Sequence, residues 1–131
     1  MNDKQTIVES WLTKADHDLT TAHLVQNHLP DFKDTIAFHC QQAVEKLLKS
    51  YLIHLNVTFR RSHDLIYLLD IIEQPELFTR EDYDRVARLQ DYAVEIRYPN
   101  DSIFLSNEEI LDALTTADDL FMRVSGLLRK S

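Results

Sequence analysis

The sequence predicts an all-α fold, a bundle of four long helices plus one short helix. Three observations predict it. Apolar residues recur at steps of three and four along most of the chain, the period of one helix face. Only one glycine occurs in 131 residues, whereas a β-rich chain of this length needs more glycine for its positive-φ turns. The three prolines, at positions 30, 75 and 99, all fall at the edges of periodic segments, where helices stop.

The elements follow in order. From Asp3 to Leu29 the residues Ile7, Val8, Trp11, Leu12, Ala15, Leu19, Ala22 and Val25 form one apolar stripe, so a long helix is expected. Pro30 stops it, and Asp31 is the expected cap of the next. From Phe32 to about Asn56 the stripe is broad, from Ile36 through Cys40, Val44 and Leu48 to Leu55, which places the second helix centrally in the bundle. Val57 to Arg61 reads as a connector. Ser62 is the expected cap of a short helix with Leu65, Ile66, Leu68, Leu69 and Ile72 on its apolar side. Thr79 with Asp82 three positions on resembles a capping box. The helix it opens carries Tyr83, Val86, Leu89, Ala93 and Ile96 and is expected to stop before Pro99. After a loop over 98–105, Ser106 and Glu109 form a second capping box. Ile110, Leu111, Leu114, Ala117, Leu120, Phe121 and Val124 follow at helical spacing.

Length places all 131 residues in a single domain. The net charge of −8 disfavours non-specific binding to phosphate backbones, so any nucleic-acid contact must come from a local basic patch. A lone cysteine, Cys40, rules out an internal disulfide and suits a reducing cytoplasm. No apolar run approaches the ~18 residues of a membrane span, and the N-terminal segment lacks the apolar core of a signal peptide. The expected location is cytoplasmic, with no membrane partner.

Several chemistries drop out. A single glycine, at 126, allows neither a phosphate-binding Gly-rich loop nor a dinucleotide fingerprint. The histidines at 17, 23, 28, 39, 54 and 63 never stand four apart on one helix face, and neither HExxH nor CxxC occurs, so no metal site and no cofactor are expected. The polar residues that remain are more informative. His39, Gln42, Lys46 and Lys49, spaced 3, 4 and 3, form one ridge beside the apolar stripe of the second helix. Its plain reading is a solvated face, with Glu45 and Lys49 as an i, i+4 ion pair of ~0.3–0.5 kcal/mol. His63 and Asp64 either serve the start of the short helix or join that ridge in a polar cluster. Arg97 in a last helical turn offsets the macrodipole, and its fork of donors also suits a phosphate at a loop mouth.

Three blocks together resemble the HEPN family, the higher-eukaryote and prokaryote nucleotide-binding domains. They are 11-WLTKADHDL-19, then 38-FHCQQAVEKLLKSYL-52 with 62-SHDL-65, then 92-YAVEIRYPND-101. The resemblance implies an antiparallel up-and-down bundle of four long helices and one short one, often a symmetric homodimer, paired with a small nucleotidyltransferase-domain protein as in toxin–antitoxin modules. Many relatives are metal-independent endoribonucleases that use an arginine followed, after four to six residues, by a histidine. Carried onto this chain the arginine is Arg97. The histidine would fall at 102, 103 or 104, which are Ser, Ile and Phe. The function expected is therefore a non-catalytic module that binds a nucleotide or nucleic acid and works with that partner. Its ligand site would gather Arg97 and Tyr98 with His39, Gln42, Lys46, Lys49 and His63. The alternatives are a ribonuclease toxin in which His39 or His63 replaces the absent base beside Arg97, and a purely structural dimerisation module.

Overall fold

The structure, a computed structural model, describes residues 3–94 and 105–130. Five helices and no strand occur among these residues: α1 (Asp3–His28), α2 (Lys33–His54), α3 (Leu65–Asp70), α4 (Arg80–Tyr92) and α5 (Asn107–Lys130). The all-α expectation holds. Three helices are long, α4 has 13 residues and α3 has six.

α2 packs against all four other helices, as the breadth of its apolar stripe predicts. Ile36, Ala37, Cys40, Val44, Leu47, Leu48 and Leu52 are wholly buried there. Polar contacts fix the directions of the pairs. Val8 accepts from Ser50 and Asp18 from Lys46 and His39, so α1 and α2 run antiparallel. Asp82 meets Arg123, Arg85 meets Asp119 and Arg88 meets Asp112, so α4 and α5 do the same.

Both capping boxes form. Thr79 and Asp82 exchange side-chain and backbone hydrogen bonds at the start of α4, and Ser106 and Glu109 do so before α5. Two other caps differ from expectation. Residue 32, not Asp31, occupies the N-cap of α2, and it makes no side-chain cap bond. Asp64, not Ser62, caps α3: its carboxylate accepts from the amides of Ile66 and Tyr67, while Ser62 accepts from the amide of Asp64. At the end of α2, Asn56 takes φ 61°. The amide of Val57 reaches back to the carbonyl of Leu52 and that of Asn56 to Ile53. This is a Schellman closure with asparagine in glycine's usual place.

Two further expectations are corrected. α4 ends at Tyr92, with Ala93 as its C-cap, rather than running to Ile96; the expected span from 95 onward lies outside the described residues. Ile7 and Leu111, assigned to apolar stripes, are about half exposed, because Val8 and Ile110 beside them take the buried positions. No helix among the described residues is long and apolar enough to cross a membrane.

Candidate functional site

The antiparallel packing of α1 on α2 leaves an open groove of about 680 Å³ between their polar edges. The floor on the α2 side is Gln42, Glu45, Lys46 and Lys49. The wall on the α1 side is Trp11, Lys14, His17 and Asp18, and the connector before α3 adds Arg61 and His63. Both walls follow from helical spacing. Positions 11, 14 and 18 lie on one face of α1, and 42, 45, 46 and 49 on one face of α2.

The ridge on α2 is not the solvated face of its plain reading. Lys49 is 6 % exposed and Glu45 3 %, and they form an ion pair of 3.0 Å. Sequence spacing alone suggests a surface pair of little consequence. Burial makes it a pair whose partners depend on each other. The Glu45 carboxylate also accepts from Nδ1 of His63 at 3.0 Å and from the side-chain amide of Gln41. A carboxylate only accepts, so Nδ1 carries the hydrogen. In the neutral imidazole Nε2 keeps its lone pair. The His63 ring is otherwise largely in solvent.

A second carboxylate organises the other end. Asp18 accepts from Lys46 at 2.5 Å through one oxygen and meets Nδ1 of His39 at 2.9 Å through the other. Two ammonium groups lie over the Trp11 ring, Lys14 Nζ at 5.5 Å and Lys49 Nζ at 5.6 Å from its centroid. The electron-rich ring face attracts both. Lys14 and Arg61 are exposed and have no carboxylate partner among the described residues. The groove thus collects four lysine and arginine side chains against two carboxylates, on a chain whose net charge is −8.

Of the residues singled out in the sequence, Gln42, Lys46, Lys49 and His63 come together in this groove. His39 shares their ridge but is engaged by Asp18 and is not part of the lining. Arg97 and Tyr98 lie outside the described residues. Sequence reasoning missed the α1 wall and Arg61. The signal for the wall is the spacing of Trp11, Lys14 and Asp18, within a block that carries the family resemblance but no assigned role.

Two other features bear on chemistry. Cys40 is wholly buried, and burial pushes its thiol up to about 12, with Asp118 adding to the rise. It remains a protonated thiol at neutral pH and is no nucleophile. Among the described residues no three His, Cys, Asp or Glu side chains are grouped as ligands for a metal ion.

The described residues are thus all-helical outside their loops, with a cationic groove between the first two helices. A narrower assignment comes from the sequence: it matches the HEPN domain over residues 8–127, and the chain belongs to that family. Solved structures agree on the fold. TT1696 from Thermus thermophilus superposes with a TM-score of 0.73 at 24% identity, covering 91% of this chain and 96% of that one. ST0689, described as an archaeal HEPN homologue, superposes with a TM-score of 0.63 at 18% identity, over 92% and 97% of the two chains. A comparison with curated proteins gives no match.

Proposed function

We propose that this HEPN-domain protein is a binding module whose α1–α2 groove takes the phosphates of a nucleotide or of RNA. The observation that carries the reading is the convergence of Lys14, Lys46, Lys49 and Arg61 from three chain segments onto one groove of an acidic protein. Lys46 and Lys49 are held in place by Asp18 and Glu45, so they present charge from a fixed geometry. Lys14, whose ammonium lies over the Trp11 ring, and Arg61 meet no carboxylate among the described residues and can close over a ligand. Arg97 and Tyr98 belong to the proposal on sequence grounds, since a guanidinium suits phosphate oxygens.

Trp11 is the chain's only tryptophan and stands in the groove, so its emission reports occupancy. Titration with inorganic tripolyphosphate should change that emission saturably. Lys14→Ala combined with Arg61→Ala should weaken binding about tenfold, and Arg97→Ala by a similar factor. Unaltered affinity in the double variant would remove the groove from the reading.

One observation favours a second reading, a metal-independent ribonuclease. Glu45 holds His63 through Nδ1 at the groove's edge, as a general base needs to be held. His63 Nε2 would take the proton of a ribose 2′-hydroxyl as its oxygen attacks the phosphorus, and the 5′-oxygen would leave as a hydroxyl with a proton from solvent water. A 2′,3′-cyclic phosphate results. His39, already turned to Asp18, is the poorer base. Cleavage of RNA in EDTA, abolished by His63→Ala, would establish this activity; intact RNA after prolonged incubation leaves the binding module.

The family resemblance adds a second copy of the chain and a small nucleotidyltransferase-domain protein as partners. Light scattering and co-purification with that protein test them.

A further inference from the structure

Beyond Gln42 and His63 the groove continues into a recess of about 450 Å³, whose other lining residues are Phe38, Gln41, Gln90 and Ala93. Three glutamines meet there, and the buried carboxylate of Glu45 dictates how two of them are turned. Gln41 Nε2 must face acceptors, since it donates to Glu45 at 3.4 Å and to the carbonyl of His63 at 3.2 Å. Its oxygen is therefore turned to Gln42, whose Nε2 donates to it at 2.8 Å. Gln42 is left with a carbonyl oxygen that accepts from nothing among the described residues. Gln90 is oriented independently. Its oxygen accepts from the backbone amide of Leu65 at 2.6 Å, which leaves its two Nε2 hydrogens unmatched among the described residues.

The recess thus offers one acceptor and one donor group from separate, pre-oriented amides. Beside them is the ring of Phe38, 36% exposed and set edge-on to His39. A planar heterocycle with neighbouring donor and acceptor atoms on its edge is the chemical complement of that set. Amide side chains pair with base edges in this manner, and aromatic rings stack on base faces whatever the sequence. A phosphate has only acceptor oxygens and would leave the Gln42 carbonyl unmatched.

We propose that the recess of Phe38, Gln42 and Gln90 is a nucleobase subsite, so that groove and recess together bind one nucleoside phosphate unit. This rests on the reading of the groove as a phosphate site. The phosphate lies between Lys14 and Arg61, and the base lies on the glutamines. The proposal accounts for the fixed orientation of Gln42, which a phosphate-only site does not need.

Calorimetric titration of the full chain with the four nucleoside 5′-monophosphates and with ribose 5-phosphate tests it. At least one nucleotide should bind ten times more tightly than ribose 5-phosphate, which carries the same phosphate and sugar. Phe38→Leu should erase most of that preference while leaving ribose 5-phosphate unaffected, and Gln42→Ala should lower the affinity for that nucleotide far more than the affinity for ribose 5-phosphate. An unchanged urea midpoint shows that both variants remain folded. Equal affinity for all five compounds overturns the subsite and leaves the phosphate groove standing. A preference that survives both substitutions places the base elsewhere and also overturns it. Absence of binding by all five, and by tripolyphosphate, removes subsite and groove reading together.

Discussion

Glu45 sits 3 % exposed with its carboxylate shared by Lys49, His63 and Gln41. Removing its charge strands the Lys49 ammonium, itself 6 % exposed, with only the Trp11 ring for compensation. Breaking one side of a buried pair typically costs 3–5 kcal/mol, whereas partly exposed pairs contribute about 1 kcal/mol or less. Glu45→Gln should therefore lower unfolding stability by about 3 kcal/mol in urea, near the small end because the groove admits water. Lys46→Ala breaks the more exposed pair with Asp18 and should cost about 1 kcal/mol at most. Replacing both members, Glu45→Leu with Lys49→Met, should recover most of the loss, since the desolvation cost disappears with the charges. Equal effects for Glu45→Gln and Lys46→Ala would refute the distinction drawn from burial. At Cys40 the same physics acts on a thiol. Buried and pushed up to about 12, it should ignore a thiol reagent at about pH 8 in the native protein and react at once in denaturant. Rapid native-state labelling would show that the centre of α2 opens.

Along the elements, the interface of α4 with α5 is held by charges rather than by apolar contact alone. Burial raises the Asp82 carboxyl, but hydrogen bonds from Arg123 and Thr79 and the guanidinium charge outweigh it, and the net shift is downward. Asp112 behaves alike: burial is outweighed by hydrogen bonds from Arg88 and Tyr92. Each folded-state value lies below the ordinary 3.8. Their contribution is present in full above that value and is lost as pH falls through the lower folded ones. Urea midpoints should hold steady down to about pH 4 and drop below it, and Asp82→Asn should make that acid limb shallower. An acid limb unaltered by Asp82→Asn would place the sensitivity in other carboxylates. At α3, Asp64→Ala should cost about 1 kcal/mol by loss of the cap, and Ser62→Ala less. The capping boxes were legible because they are local: a hydroxyl and an acid three residues apart suffice. The choice between Ser62 and Asp64 was not, since both are good caps and a six-residue helix gives too little periodicity to set its first turn. The end of α4 was illegible for a like reason. Neither glycine nor proline marks residues 93 and 94, so the apolar pattern pointed further along.

For the whole molecule, a broad apolar face identified α2 as the central helix, because breadth counts the neighbours a helix must cover. The ridge at 42, 46 and 49 could likewise be read, since one helix sets that spacing. Which part of α1 lies opposite could not. Asp18 meeting His39 and Lys46 fixes it, across 21 and 28 residues of sequence. That contact turns an acidic chain into one with a locally cationic groove, and salt should separate the two effects. Single-stranded nucleic acid releases counterions with a slope of about −0.7 per phosphate neutralised. Lys46 and Lys49 already face carboxylates, which leaves Lys14 and Arg61 to neutralise about two phosphates. Their share of the slope should then be about −1.4, so over a roughly fourfold rise in salt, from about 50 to about 200 mM, these two residues alone account for about a sevenfold weakening of oligoribonucleotide binding. Lys14→Ala with Arg61→Ala should flatten that dependence, while the net charge of −8 keeps duplex DNA from binding at either salt. The same slope in wild type and double variant would mean that the phosphates are met somewhere other than between α1 and α2.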